Sequence, residues 1–423
     1  MNTIKKTTQI LCIFLLFFMN LNADTIADAT IVSDKDKVLQ SIDYKKKETI
    51  SMKYNKSYMK RTAVAKRFFK NKIVVDCVAG KHNTAYLITI DDKNFEDGAK
   101  YQGLSYSFGE PKYDEPWAAG PEWEGLRYVK ASMLIKHNKR CLIVASATGH
   151  IGTSGGCPDT DDYHIHKESI IHGIRLIGEH VYIVGPARVI YRRTGVKEWQ
   201  LFNKGTQDDL MIKNIKNGNR SEYSYAFLSI DGFSESDMYA VGNKGEAWHY
   251  DGTKWTVIDL PTNSDLHKVH CAKDGNVYIS GDDYTILRGK GDKWDFILNS
   301  TIDHPFSTHL FEAIAWFKDA LYIGTSEGLY KYINNRFEKI PLTPPELVSK
   351  KETFDIKGLE ATGWDPKLVE SMAFINKITD DTPNEDISCL DTDFDYLLAG
   401  RTRGGLYRYD GDTWEIVAVT DSK

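Results

Sequence analysis

Gly152-Thr153-Ser154-Gly155-Gly156 fits the pattern Gly-x-Ser-x-Gly, in which a serine on a strained strand-to-helix turn attacks an acyl carbon. That chemistry needs a helix directly after the serine, then an acid and a histidine. The next ten residues, CPDTDDYHIH, have no helical spacing, so the run reads as a glycine-rich loop closing a hairpin. His150, His164, His166 and His172 fall within 23 residues, beside Asp159, Asp161 and Asp162. A His-x-His pair on a strand presents both imidazoles to one side. His164 and His166 with Asp162 are therefore the candidate metal ligands. Polar loop and cross-strand contacts explain the same residues, and no catalytic residue, metal or cofactor is assigned.

Cysteine is the other reactive type. Cys141 and Cys157 flank CLIVASATGHIGTSGGC, and a hairpin turning at 148 to 150 would set them opposite each other. They form the candidate disulfide, with two buried thiols as the alternative. Cys77, Cys271 and Cys389 occupy comparable positions in three repeated units and read as core. There is no CxxC pair, so neither a zinc ribbon nor a thioredoxin-like site is expected.

A third cluster could bind rather than react. YQGLSYSFGEPKYDEPWAAGPEWEG, residues 101 to 125, concentrates aromatics among acids. Tyr113, Trp117 and Trp123 with Glu122 and Glu124 are the candidate recognition residues, since aromatics anchor interfaces and the acids would select a basic partner. Packing on a neighbouring unit is the alternative. The turns Asp251-Gly252 and Asp410-Gly411, each shortly before a Trp, read as structural: glycine supplies positive φ and the Asp side chain bonds nearby backbone.

The elements that must position these groups repeat. AFLSIDGFSESDMYAVGNKGEAWHYDGTKWTVI is followed by LHKVHCAKDGNVYISGDDYTILRGKGDKWDFI, and each reads as four short strands separated by turns. Gly242 to Gly281 spans 39 residues, a period that suits propeller blades. Seven candidate second strands occur along the chain: 85–89, 142–146, 181–185, 238–242, 277–281, 321–325 and 396–400. In the last five, an aromatic stands 13 or 14 residues after the glycine that closes the segment, at Trp199, Trp255, Trp294, Phe337 and Trp414. Spacing excesses place insertions at about 95–125, 203–224 and 341–385. In an up-and-down meander, connections from fourth to first strands emerge on the same side as the second-to-third turns. The last two insertions should therefore decorate one side. PKLVESMAFINKI within 341–385 has helical spacing, with Pro366 in its first turn.

LYIGTSEGLYKYINNRFEKI and YLLAGRTRGGLYRYDGDTWEIV resemble blades of two-component-regulator propellers. MYAVGNKGEAWHYDGTKW is similar to the YCF48-like photosystem-assembly and Asp-box propellers. PTNSDLHKVHCAKDGNVYISGDDYTILRGKGDKWDFI resembles uncharacterised bacterial propellers associated with interbacterial toxin clusters. The resemblance covers about 172–340 and 386–419. It implies the fold; propellers host unrelated activities, so function transfers poorly. No kinase, DNA-binding or transmembrane segment accompanies the sensor-like blades, so a full signalling receptor is not expected.

Lys5 and Lys6, the apolar run Ile10 to Leu21 and the small-residue exit at Ala23 read as a secretory signal, residues 1–23. A basic arm, 24–60, comes next; 34–72 holds 13 Lys/Arg against 4 Asp/Glu. Part of it, 49–54, would add a strand and close the ring. The whole chain stands at −5, a balance that does not ask for nucleic acid or an anionic membrane; the part from residue 73 onward carries about −14, and the basic arm could bind an anionic surface or stay solvated. The expected protein is all-β, a single seven-bladed β-propeller of four-stranded antiparallel blades over 61–420. It is periplasmic or extracellular, monomeric and without an integral membrane segment once the signal is cleaved. Its expected role is non-enzymatic recognition of a protein, as an immunity protein neutralising a bacterial toxin. The alternatives are a carbohydrate- or lactone-active hydrolase or lyase in the central channel, and a periplasmic assembly factor.

Overall fold

The computed structural model of the protein describes residues 72–80, 84–91, 101–107, 117–123, 130–136, 139–155, 157, 163–165, 170–302, 304–306, 311, 313–342, 386–392, 395–402 and 405–419. The expected signal, the basic arm with its closing strand at 49–54, and the helix near Pro366 lie outside them. Among the described residues the chain forms seven antiparallel four-stranded sheets, each from four consecutive strands. These are blades 1 to 7, spanning 72–123, 130–164, 173–201, 227–258, 266–298, 313–340 and 387–419. The chain is a seven-bladed β-propeller, as its spacing predicts.

Side-chain alternation explains the ring. In the second strand of blade 3, His180–Gly185, Val181 and Ile183 pack toward blade 2, while Tyr182 and Val184 pack toward blade 4. In blade 4, Met238 and Ala240 join the seam with blade 3, whereas Tyr239 and Val241 join the seam with blade 5. A strand covered on both sides must be apolar at every position, which is why these segments read as unbroken runs. The Trp residues of the fixed offset cover the seams: Trp255 lies between blades 3 and 4, where its indole N–H donates to the Phe202 carbonyl at 3.1 Å, and Trp414 lies between blades 6 and 7.

Blade 1 differs from expectation. Within the expected insertion at 95–125, Tyr101–Ser107 and Trp117–Trp123 are the third and fourth strands of blade 1, paired with each other. Nine residues separate Tyr101–Ser107 from the strand on each side of it, more than in the other blades' hairpins, and this spacing hides the repeat. The ring closes where blade 7 meets blade 1. There the Val74 N–H donates to the Thr402 carbonyl at 2.9 Å, and the Tyr396 hydroxyl lies 2.7 Å from the carbonyls of Gly80 and Thr84. Radial repetition of this kind leaves only short, protected sheet edges.

Candidate functional site

The first strands surround a central cavity of about 790 Å³, lined from Asp76 of blade 1 round to Asp391 of blade 7. Charged groups do converge here, but they are spent on one another. Arg175 of blade 3 reaches Asp231 of blade 4 through Nε, at 3.1 Å, and Asp391 of blade 7 through Nη1, at 3.0 Å. The second oxygen of Asp391 accepts the Ala79 N–H at 2.8 Å, and that of Asp231 accepts the Cys271 N–H at 2.9 Å. Asp76 does the same for the Ala131 N–H of blade 2, at 2.9 Å. Three inner-strand aspartates thus tie one blade to the next. Burial alone would raise Asp231; the Arg175 charge, then His270 and the Cys271 N–H, outweigh it and hold the carboxyl well below the usual range. The arrangement staples the ring.

The side carrying the second-to-third turns is built differently. In the turns of blades 3, 4 and 5, residues at positive φ come in pairs: Ala187 and Arg188, Lys244 and Gly245, Asp283 and Tyr284. Two-residue hairpins ask for this geometry and usually meet it with Asn-Gly or Asp-Gly. A side chain there costs about 1 kcal/mol. The left-handed positions keep Arg188, Lys244 and Tyr284: Lys244 is exposed, while Arg188 and Tyr284 are half-buried against their neighbours.

Arg188 organises this surface. Its guanidinium bonds Glu246 of blade 4, with Nε 2.8 Å and 3.0 Å from the two carboxylate oxygens. It also lies 4.9 Å from the ring centre of Tyr225 and 5.4 Å from that of Trp248. Glu246 raises the arginine pKa and fixes its charge. Lys244 stands 4.3 Å from the Tyr225 ring. The 203–224 insertion packs on top: Arg188 Nη1 donates to the Thr206 carbonyl at 3.3 Å, and the Arg188 N–H donates to the Tyr225 carbonyl at 2.9 Å. The insertion therefore shares a side with the turns, as the meander requires.

A helix, Asp209–Lys216, forms within the insertion. Asp208 caps it by accepting the Met211 N–H at 2.7 Å, Asp209 sits in its positive first turn, and Lys213 and Lys216 close its negative end. Met211 is buried, and Leu210 is left 65% exposed. Tyr223 and Ile170 are also exposed among these connections.

Of the residues expected to bind, Tyr113 and Glu124 lie outside the described residues. Trp117 starts the outer strand of blade 1, opposite Tyr106. Glu122 is exposed on that strand and accepts from Gln102 at 3.4 Å. Trp123 is a correction. Its side chain is 2% exposed and fills the seam between blades 1 and 2 with Ile88, Tyr101 and Val144, so it cannot anchor a partner. Gly152 exists to seat it: a Cβ there would stand 2.4 Å from the indole nitrogen. The Gly-x-Ser-x-Gly run is thus the strand His150–Gly155 and its exit. Asp162 and His166 lie outside the described residues. His164 pairs with His150 across two strands, with ring centres 4.7 Å apart. Among the described residues no three His, Cys, Asp or Glu side chains gather to hold a metal. Cys141 and Cys157 form a disulfide. No described helix is long and apolar enough to cross a membrane.

Fold and decorated side together define a seven-bladed propeller whose 203–224 insertion shares a side with the second-to-third turns. No family model matches the sequence. The chain is similar to the immune protein Tsi7 of Pseudomonas aeruginosa, 32% identical over 183 residues, which is 43% of this chain and 55% of that protein. The match spans about half the length of that relative. In fold, the chain is similar to virginiamycin B lyase from Staphylococcus aureus, with a TM-score of 0.52 at 10% identity over 78% of this chain and 92% of that one. A catalytically inactive form of that lyase, solved with quinupristin, gives 0.51 at 10% identity over 79% and 93%. At such identity the likeness concerns fold alone.

Proposed function

We propose that the chain is an immunity module that binds a bacterial toxin and blocks it by occupancy, without catalysis. The similarity to the immune protein Tsi7 carries this reading. The strained turns of blades 3 to 5 and the exposed Leu210 and Tyr223 beside them supply a surface of the right kind. The partner is a protein of basic character, matching the charge of about −14 from residue 73 onward. The module acts as a monomer after export to the periplasm, which the basic start and apolar run of residues 1–23 favour. The saturated Arg175, Asp231 and Asp391 cluster argues against the lyase or hydrolase alternative, because it leaves the carboxylates already paired.

The test is capture and protection together. The tagged chain is used to isolate partners from a periplasmic extract, and the captured protein is then expressed in cells with and without the chain. Growth arrest by the partner alone, relieved by the chain, is expected. Capture of a non-toxic assembly subunit, or relief that needs no complex, would overturn the reading. Fractionation of the producing cells checks the compartment.

A further inference from the structure

The described strands begin with blade 1 and end with blade 7, and no strand is exchanged between them. Two thiols sit in the seam where these blades meet. Cys77 is on the first strand of blade 1 and Cys389 on the first strand of blade 7. They are 3% and 5% exposed and belong to one apolar cluster with Val74, Leu87 and Leu398. Their sulfurs share one space. A Cβ added to Gly400 would stand 2.5 Å from the Cys389 sulfur and 3.8 Å from the Cys77 sulfur. Glycine at 400 keeps that space open. Cys271, the other free cysteine among the described residues, faces the charges of Asp231 and Asp237.

We propose that Cys77 and Cys389 are an oxidation site that closes the ring covalently, by thiol–disulfide exchange with a small-molecule disulfide such as oxidised glutathione. One protein thiolate attacks the glutathione disulfide and expels one glutathione thiolate. The second protein thiolate then attacks the mixed disulfide and expels the other. The two protein thiols lose two electrons, which reduce one glutathione disulfide to two thiols, and their two protons end on those thiols. Exchange requires a thiolate, and burial, then the neighbouring Cys389, pushes the Cys77 thiol well above its ordinary range. In the closed ring the reaction is slow. It proceeds while blade 7 docks on blade 1 and both sulfurs are still wet. A link between the two ends of the sheet array restricts the unfolded chain more than the short Cys141–Cys157 loop does.

The experiment refolds the full chain from the reduced, unfolded state, either with oxidised plus reduced glutathione or with reduced glutathione alone. Remaining thiols are alkylated under denaturing conditions, and the digest is read by mass spectrometry. A Cys77–Cys389 linked peptide is expected in the oxidising arm, and two alkylated cysteines in the reducing arm. The oxidised product should unfold at a higher temperature, a gain that Cys77→Ala and Cys389→Ala each abolish. Full alkylation of Cys77 and Cys389 beside an intact Cys141–Cys157 link would overturn the proposal, as would a link from either to Cys271. Where refolding yields too little material, the same map of chain made in an oxidising and in a reducing compartment reads the same outcomes.

Discussion

Arg175 of blade 3 spans the central cavity to Asp391 of blade 7, with Nη1 3.0 Å from Oδ1, while its Nε holds Asp231 of blade 4. One side chain thus ties together three blades, two of them far apart in sequence. Arg175→Met leaves two carboxylates without their cation. The arginine keeps 35% of its side-chain surface toward the cavity, so the loss should fall near the low end for a broken buried pair, about 2–3 kcal/mol in urea unfolding. The pH dependence has a definite sign. Asp231 is held below its unfolded value, so its contribution is complete above the ordinary carboxylate range, about pH 4, and fades as pH falls through the lower folded value. In Arg175→Met the largest lowering influence is lost while burial, His270 and the Cys271 N–H remain, so the carboxyl rises from its depressed value and acid unfolding should begin at a higher pH than in the natural chain. An unchanged acid midpoint would show that the pair contributes nothing.

Trp123 and Gly152 make a matched pair across the seam of blades 1 and 2. Trp123→Ala should cost about 3–5 kcal/mol, because it empties a buried aromatic site. Gly152→Ala should cost about 1–3 kcal/mol, because its Cβ meets the indole. Thermal unfolding measures both. Partner affinity per folded molecule should be unchanged in each; a loss there would return Trp123 to the binding surface.

The Cys141–Cys157 link closes a loop with a sequence separation of 16 in blade 2, whose fourth strand is the two residues Tyr163–His164. Replacing both cysteines by alanine should cost about 3 kcal/mol in chemical unfolding, the value for a loop of that length. The loss should appear without a reductant, and adding one should not enlarge it beyond what any Cys77–Cys389 link contributes, which the peptide map reads separately.

Legibility tracked burial. The second strands could be read because both of their sides are covered, which forces runs such as VYIVG and MYAVG. The Asp-Gly turns were equally plain: Asp251 accepts the N–H groups of Thr253 and Lys254 at 2.8 and 2.9 Å, with Gly252 at a φ of 92°. Bonds from the Thr253 hydroxyl and those two N–H groups hold its carboxyl at about 2. The outer strands of blade 1 were lost because nine residues separate Tyr101–Ser107 from each neighbouring strand, which breaks the repeat's spacing. The helix Asp209–Lys216 was missed because it is eight residues long and buries only Met211; Asp208 before it was the available signal. Arg175 and Asp391 stand 216 residues apart, and no local pattern joins them.

Leu210 and Arg188 separate recognition from folding on the same side of the ring. Leu210 is exposed on a capped helix, so Leu210→Asp should leave the unfolding midpoint within error, since exposed substitutions typically move stability by under about 0.5 kcal/mol. If this side meets the partner, Leu210→Asp should weaken binding by at least about tenfold, the cost of losing one apolar anchor and burying a charge. Arg188→Lys acts through structure instead. It loses the paired bonds to Glu246 and the contacts with Tyr225 and Trp248, at about 1–2 kcal/mol of stability. The turn should then loosen the insertion it holds through Thr206 and Tyr225, weakening binding together with stability. Titration calorimetry with the captured partner, paired with thermal unfolding of both variants, checks this. Binding unchanged in Leu210→Asp and in Arg188→Lys would move the interface to another side of the propeller.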